Sequence, residues 1–129
     1  MNCEQQFSRW LCAAFRHYGA IPVRLEVTTG KGVPDIALLY EGQTIWLELK
    51  WDTTFLRAEQ YVWHLKAKEQ NIRQYILSAD ENNMFLLNIA RAVPYIKTKR
   101  YKLEELLATF PKTLGGVDRL LNYATNKPL

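Results

Sequence analysis

Two apolar runs that flank a two-residue turn constrain the fold of this chain more than any other feature. They span residues 33–40 and 44–51, and Glu41 and Gly42 join them within the stretch 30–51. Short apolar runs bounded by turn residues are typical of buried strands. The first run is almost wholly apolar, as expected for a strand covered on both faces. We therefore predict a β-hairpin around which the rest of the chain is organised.

Three ionisable residues stand at one end of this predicted hairpin. Asp35 follows Pro34 at the start of the first strand, and Glu48 and Lys50 lie near the end of the second. Alternate residues of a strand share a face, so Glu48 and Lys50 project together, and the hairpin brings Asp35 beside them. A strand-end acid and a surface cross-strand pair would give the same pattern without any function. Glu48, however, lies between two leucines, where a charge is costly to bury unless it is neutralised.

The periodicity of the remaining sequence predicts an α/β fold. Helices take apolar residues every three or four positions, and strands take them at alternate positions or in short runs. We predict, in order, a helix over residues 3–18, strands over 21–28, 33–40 and 44–51, a helix from about 52 to 71, and strands over 72–78 and 84–89. This order predicts a mixed sheet flanked by helices, with the second helix as its crossover.

The sequence after residue 90 predicts a smaller addition to this core. Two short helices are expected over residues 103–110 and 114–123, separated by Pro111. We expect one domain, with a core over residues 1–90 and a basic, helical extension over residues 91–129 packed on it.

Two polar residues fall on the apolar sides of the predicted helices. Glu4 lies three residues before Phe7, so it is either a helix-start glutamate favoured by the macrodipole or a carboxylate aimed at the hairpin site. Gln60 lies four residues after Leu56 and three before Trp63, which places it on or beside the buried face. Both side chains could therefore approach the acids of the hairpin.

This set of residues suits metal-assisted hydrolysis of a phosphodiester. Mg²⁺ or Mn²⁺ prefers oxygen ligands, which the carboxylates of Asp35 and Glu48 and the backbone carbonyl of Leu49 would supply. The metal would orient a water molecule, lower its pKa and polarise the phosphoryl group. Lys50 would position the water or neutralise the developing charge. His17 and His64 are further candidates for a general base.

The spacing of these residues resembles a known superfamily of nucleases. The segment Gly32-Val33-Pro34-Asp35, followed after twelve residues by Glu48-Leu49-Lys50, is similar to the signature of the PD-(D/E)xK nucleases. The Glu4 helix and the helix with Arg57-Ala58-Glu59-Gln60 resemble the virus-type replication-repair nuclease (VRR-NUC) branch, and archaeal Holliday-junction resolvases are similar in outline. The resemblance covers residues 4–78.

The resemblance implies a restriction-endonuclease-like core and a role for each matched residue. Asp35 and Glu48 would be metal ligands, with Lys50 as the catalytic lysine. Glu4 would be the helix-borne acid near the metal, and Gln60 the glutamine of the helix that follows the lysine. One departure is Arg57, which stands where the branch often has a serine. The loop before the aspartate is also shorter than usual, which leaves the substrate preference open.

The chain has an excess of basic residues, and some of these are expected to contact DNA. The net charge is +4 and the pI is about 9.1, which favours anionic partners without proving one. Lys31 is the strongest candidate, because it lies four residues from Asp35 in a glycine-flanked loop. The other expected DNA-binding residues are Arg24, Lys97, Lys99 and Arg100. Lys66, Lys68, Arg73 and Lys102 are weaker candidates.

Several other protein classes are disfavoured by the sequence. No apolar run approaches 18 residues, and the N-terminus lacks the form of a signal peptide, so we expect a cytoplasmic protein, encoded by a phage or a bacterium. Cys3 and Cys12 lie nine residues apart on one predicted helix, roughly 13 Å along its axis, too far for a disulfide. The cysteine and histidine spacings fit no zinc site.

The sequence thus predicts a magnesium- or manganese-dependent DNA endonuclease that recognises branched DNA or general duplex shape. A homodimer with one site per strand is expected. Two alternatives stay open: a DNA-binding module that keeps the fold without turnover, and a protein-interaction or inhibitor domain that uses the hairpin as a scaffold.

Overall fold

A six-stranded mixed sheet forms the centre of the computed structural model, which describes residues 3–25, 32–53, 55–89, 100–102 and 105–126. The helices are α1 (Cys3–His17), α2 (Ala58–Glu69) and α3 (Leu114–Asn126). The strands are β1 (Ile21–Arg24), β2 (Ile36–Tyr40), β3 (Gln43–Trp51), β4 (Phe55–Arg57), β5 (Gln74–Ala79), β6 (Asn83–Asn88), β7 (Arg100–Lys102) and β8 (Glu105–Pro111).

The strand order of the sheet is β1-β2-β3-β5-β6-β8, and β4 and β7 form a separate two-stranded ribbon. The strands β1, β2 and β3 make an antiparallel meander, and α2 then connects β3 to the parallel strand β5. The strands β5, β6 and β8 continue the sheet in antiparallel fashion. This topology confirms the predicted mixed sheet with α2 as the crossover.

The hairpin between β2 and β3 forms where the sequence predicts it. Glu41 and Gly42 have φ angles of 50° and 73°, so both residues of the turn adopt the left-handed conformation. Two-residue turns of this kind match the twist of paired strands. In the resulting register Ile36 pairs with Leu47, and β3 extends four residues beyond that pair. The edge of β3 from residue 48 onward is therefore not covered by β2.

Side-chain alternation divides the apolar residues of the sheet between two cores. On one face Leu47, Leu49 and Leu77 pack with residues of α1 and α3. On the other face Ile76 and Leu87 form a smaller core with Leu56, Tyr61 and Ile89. Even-numbered positions of β3 face α2, and for this reason Glu48 and Lys50 share the face that α2 covers.

The predicted helix over residues 103–110 is wrong. Residues Glu105–Pro111 form β8, which pairs with β6 at the edge of the sheet. Leucine, glutamate and alanine favour a helix locally, but pairing with β6 and burial of Phe110 override that preference. The helix predicted over 114–123 is confirmed as α3, and its residues Val117 and Leu120 enter the main core. The boundary between a core and an extension at residue 90 stays a prediction.

The second helix begins later than predicted. Asp52 was expected near its N-terminus but has a φ angle of 55°, whereas an N-cap residue is typically extended. Residues Phe55–Arg57 instead form β4, and Arg57 is the extended N-cap of α2. The first predicted strand ends at Arg24, Leu25 is not part of it, and 26–28 lie outside the described residues.

The sequence also leads to expectations about a disulfide and about membrane-spanning helices. Cys3 and Cys12 are both free thiols, as their spacing predicts. In the part of the chain that the structure describes, no helix is long and apolar enough to cross a membrane.

Candidate active site

Asp35 lies where β2 begins, and its neighbours on both sides hold it in place. Its backbone carbonyl accepts a hydrogen bond from the Leu25 amide at 2.8 Å. Its side chain reaches the uncovered edge of β3, where Oδ2 accepts the Leu49 amide hydrogen at 2.8 Å. A strand residue turns its N–H and C=O toward the same neighbour, so the Leu49 carbonyl also faces this edge. The late start of β2 thus leaves room for the Asp35 carboxylate between β1 and β3.

Glu48 is a buried acid beside Asp35. It is 3% exposed, under the first turn of α2. Its Oε2 accepts a hydrogen bond from Gln60 Nε2 at 3.1 Å and lies 3.9 Å from Lys50 Nζ. Among the described residues, nothing donates a hydrogen bond to its other oxygen, Oε1, which is also buried. A buried carboxylate oxygen without a donor is unfavourable unless a proton or a cation occupies the adjacent space.

Gln60 connects the buried acid to the lysine. Its Oε1 accepts hydrogen bonds from Lys50 Nζ and from the Arg57 amide, each at 3.0 Å, while its Nε2 donates to Glu48. The bond from Arg57 satisfies one of the free amides at the start of α2, as a glutamine at the third helical position does in a capping box. The Gln60 side chain therefore caps the N-terminus of α2 and also holds Lys50 and Glu48 in their orientation.

Glu4 faces the same site from α1. It lines a cavity of about 340 Å³ together with Arg24, Asp35 and Leu49. Partial burial is the largest influence on Glu4 and raises its pKa, the charge of Asp35 raises it further, and Lys50 opposes both. Glu4 is thus within electrostatic reach of the acids and the lysine, which favours the second of its two interpretations over a plain helix-start glutamate.

Burial and nearby acids strongly perturb Glu48. Burial raises the pKa of its carboxyl group to about 9, the charge of Asp35 acts in the same direction, and the charge of Lys50 opposes both. Without a cation, the carboxyl group of Glu48 therefore retains its proton at neutral pH.

The donor set fits a hard divalent cation. Asp35 and Leu49 line an open cavity, and Glu48, the residue before Leu49 in β3, has a buried oxygen that lacks a donor. Within the described ranges, no three His, Cys, Asp or Glu side chains are close enough to hold an ion by themselves. Mg²⁺ needs no such cage, because one or two carboxylates usually hold it while water and substrate phosphate complete the octahedron.

The expected DNA-binding residues have mixed outcomes. Arg24 is exposed at the cavity, and Arg100 lies in β7. Lys31, Lys97 and Lys99 lie outside the described residues. Two weaker candidates bind backbone carbonyls of the protein itself: Lys68 Nζ donates to Ile89 at 2.7 Å, and Arg73 donates to Ala124 at 2.8 Å.

His64 is a core residue and not a candidate base. It is fully buried, and its Nδ1 donates to Gln74 Oε1 at 2.6 Å. Gln74 donates in turn to Asn88, which also accepts the Ile89 amide. Burial lowers the pKa of His64 to about 4, and the imidazole is neutral at physiological pH.

Gly32 is needed for the packing of the site, a role that the sequence did not reveal. It has a φ angle of 74°, and a Cβ there would collide with the Glu59 carbonyl and the Gln60 amide nitrogen. Gly32 therefore lets the loop that carries Asp35 approach the first turn of α2. The Gly-Lys-Gly sequence shortly before Pro34 was the available signal, but such a sequence indicates only a loop.

Comparison with known proteins places the fold. No known protein family and no curated protein matches the sequence. The structure is similar to that of Archaeoglobus fulgidus Hjc, a Holliday junction resolvase from an archaeal hyperthermophile, with a TM-score of 0.57. The two share 16% sequence identity, and the match covers 78% of this chain and 88% of that chain. The similarity establishes the fold and confirms the expected resolvase-like, restriction-endonuclease-like architecture.

Proposed function

We propose that this protein is a Mg²⁺- or Mn²⁺-dependent endonuclease that hydrolyses phosphodiester bonds in branched or junction DNA. The observation that carries the proposal is the convergence of Asp35, Glu48, Lys50 and Gln60 in one network at the edge of β3. A surface ion pair would not bury Glu48, and it would not leave an oxygen without a donor beside a second acid.

Asp35, Glu48 and the Leu49 carbonyl would hold the cation, with Glu4 near enough to bind one of its water molecules. A bound divalent cation would supply a water of lowered pKa and stabilise charge on the phosphoryl oxygens. The proton on Glu48 would be displaced on binding, because the ionised carboxylate suits the cation.

Lys50 would act on the reacting phosphate. Its ammonium has one fixed acceptor in Gln60 Oε1 and one ionic neighbour in Glu48, and it retains further N–H groups. One of these would donate to the attacking water or to a non-bridging phosphate oxygen, where negative charge grows during in-line displacement. Gln60 would hold the lysine in that orientation before substrate arrives, which lowers the cost of reorganisation.

The preference for branched DNA is supported by the fold of the resolvase neighbour and by the size of the chain. A chain of 129 residues has too little surface to enclose a long recognition sequence. Arg24 at the cavity and the basic strand β7 offer contacts to phosphates, which position DNA without reading its sequence.

We also propose a homodimer, since a junction needs two cuts. An exposed apolar strip at the β1 edge of the sheet supports it: Ile21 is 60%, Val23 40% and Leu39 39% exposed. Ile21 and Leu39 are paired neighbours, so the strip is continuous across two strands. Sedimentation should give twice the mass of the 15.1 kDa chain, and a monomer at micromolar concentration would refute this part.

A cleavage panel tests the main proposal. Single-stranded, duplex, forked and four-way DNA are incubated with the protein in Mg²⁺, Mn²⁺ or EDTA. We expect cuts in forked or four-way DNA that require the metal and leave duplex largely intact. A protein that binds DNA but cuts none of the four in either metal would be a binding module. One that neither binds nor cuts would be an interaction domain.

A further inference from the structure

The ribbon of β4 and β7 lies next to the proposed active site, but none of its side chains has a part in the proposed hydrolysis. Phe55 pairs with Lys102, Leu56 with Tyr101, and Arg57 with Arg100. The Arg57 amide donates to Gln60 Oε1, which also accepts the Lys50 ammonium. The Arg57–Arg100 end of the ribbon is thus two hydrogen bonds from the proposed catalytic lysine.

The ribbon has an anchored face and an outer face. Leu56 is fully buried in the small core with Tyr61 and Ile76, which fixes the strand against the sheet. Phe55 is 40% exposed, and Arg57 is exposed as well. Alternate residues of a strand share a face, so Phe55 and Arg57 form the outer face of β4.

The composition of this outer face suits a nucleic-acid strand. It combines the guanidinium group of Arg57 with the aromatic ring of Phe55, and neither strand contains an acidic residue. Basic side chains bind phosphates, and exposed aromatic rings stack on bases. A base within a duplex has both faces covered by its neighbours, whereas an unpaired base has a face free to stack on a protein ring.

The residues around Phe55 favour binding of a base over binding of a phosphate. Phe55 and Phe85 line a cavity of about 370 Å³, and the acidic residues Asp52 and Asp80 line it as well. These acids would repel a phosphate, whereas a neutral base can donate its amino hydrogens to them. A phosphate would therefore bind at Arg57, and a base would bind at Phe55.

We propose that the outer face of β4 binds an unpaired base on Phe55 and the adjoining phosphate at Arg57, directly beside the site of cleavage. The inference rests on the proposed function and deepens it, since it names the feature of branched DNA that the protein selects: an unpaired nucleotide next to the scissile phosphate.

Binding without metal tests this inference separately from catalysis. Anisotropy in EDTA compares forked DNA with a fully paired duplex of equal length, with 2-aminopurine at the first unpaired position of the fork. The unchanged protein should bind the fork on the order of tenfold more tightly and quench the 2-aminopurine, because stacking contributes about 1–3 kcal/mol per base.

Single-residue variants test which side chains bind the base and the phosphate. Phe55→Ala and Phe55→Leu should both lose the fork preference and the quenching while duplex binding is unchanged; the leucine keeps the apolar bulk and guards against a folding defect. Leu106→Ala, an exposed apolar residue on β8, is the matched control. Arg57→Gln should weaken fork and duplex binding alike and lower the slope of log K against log salt by about 0.7–0.9. Arg119→Gln on α3 should change neither.

The inference is overturned if the unchanged protein binds fork and duplex equally, or if Phe55→Leu retains the preference and the quenching. Failure of the proposed function looks different, because it leaves every substrate uncut in Mg²⁺ and Mn²⁺ whatever the binding data show.

Discussion

At the scale of single residues, Gln60 accounts for the arrangement of the whole site. It donates to Glu48, accepts from Lys50 and accepts the Arg57 amide at the start of α2. Helical periodicity predicted that it faces the sheet, and strand alternation predicted that Glu48 and Lys50 share a face. The third bond depends on where α2 begins, and the sequence placed that start too early.

Gln60→Ala should lower the rate of cleavage by about 10- to 100-fold with little change in DNA affinity. The loss follows because Lys50 and Glu48 would no longer be held, and such supporting hydrogen bonds typically contribute that much at metal sites. Single-turnover cleavage and anisotropy measure the two effects. Gln70→Ala, exposed at the other end of α2, is the control. An unchanged rate in Gln60→Ala would show that Lys50 needs no such support.

His64 should make the protein sensitive to acid. Its pKa is about 4 in the folded protein and about 6.5 when unfolded, so the unfolded chain binds the extra proton first. Its contribution to stability is complete above pH 6.5 and is lost as the pH falls to 4, by about 3 kcal/mol in total. Urea unfolding from pH 7 to 4 should show this loss in the unchanged protein and in His17→Gln. His64→Gln should show a shallower pH dependence; an identical one would refute the assignment.

At the scale of elements, long and strongly periodic segments were predictable and short ones were not. The helix at Cys3–His17 and the hairpin at Glu41-Gly42 follow from local pattern and turn chemistry. The strand β8 did not, because its helix-forming residues pair with β6, a contact that no local pattern encodes. The ribbon of β4 and β7 was missed for a similar reason: its strands are three residues long and 42 residues apart.

Close packing between the Asp35 loop and α2 can be tested at Gly32. Gly32→Ala should cost at least about 1–3 kcal/mol of stability, because the added Cβ collides with the backbone of Glu59 and Gln60. Cleavage should fall further than stability predicts, since the collision separates Asp35 from Gln60. Gly115→Ala in α3 is the control: its Cβ would meet only Thr113 Oγ1 at 3.9 Å, and a helical alanine should be neutral or slightly stabilising. Equal behaviour of the two variants would contradict this packing.

At the scale of the whole molecule, the sheet order explains why one edge carries the chemistry. The strand β2 starts late, and β3 continues past it, so the last residues of β3 pair with β5 along one edge and are not paired with β2 along the other. Asp35, Glu48 and Lys50 gather there from two strands, while Glu4 and Gln60 come from helices on opposite faces of the sheet. The sequence could specify these residues because each obeys the period of its own element. It could not specify the Asp35–Leu49 bond, which depends on the register between strands.

The central claim is that this edge of the sheet hydrolyses DNA, and single-turnover cleavage of a four-way junction in Mg²⁺ tests it most directly. The unchanged protein is compared with Asp35→Ala and Lys50→Ala, and binding to the same junction is measured in EDTA. We expect cleavage to fall about a hundredfold or more in each variant while binding stays within a few-fold, because the variants remove groups that act on the reacting phosphate. Cleavage at an undiminished rate in either variant would contradict the account.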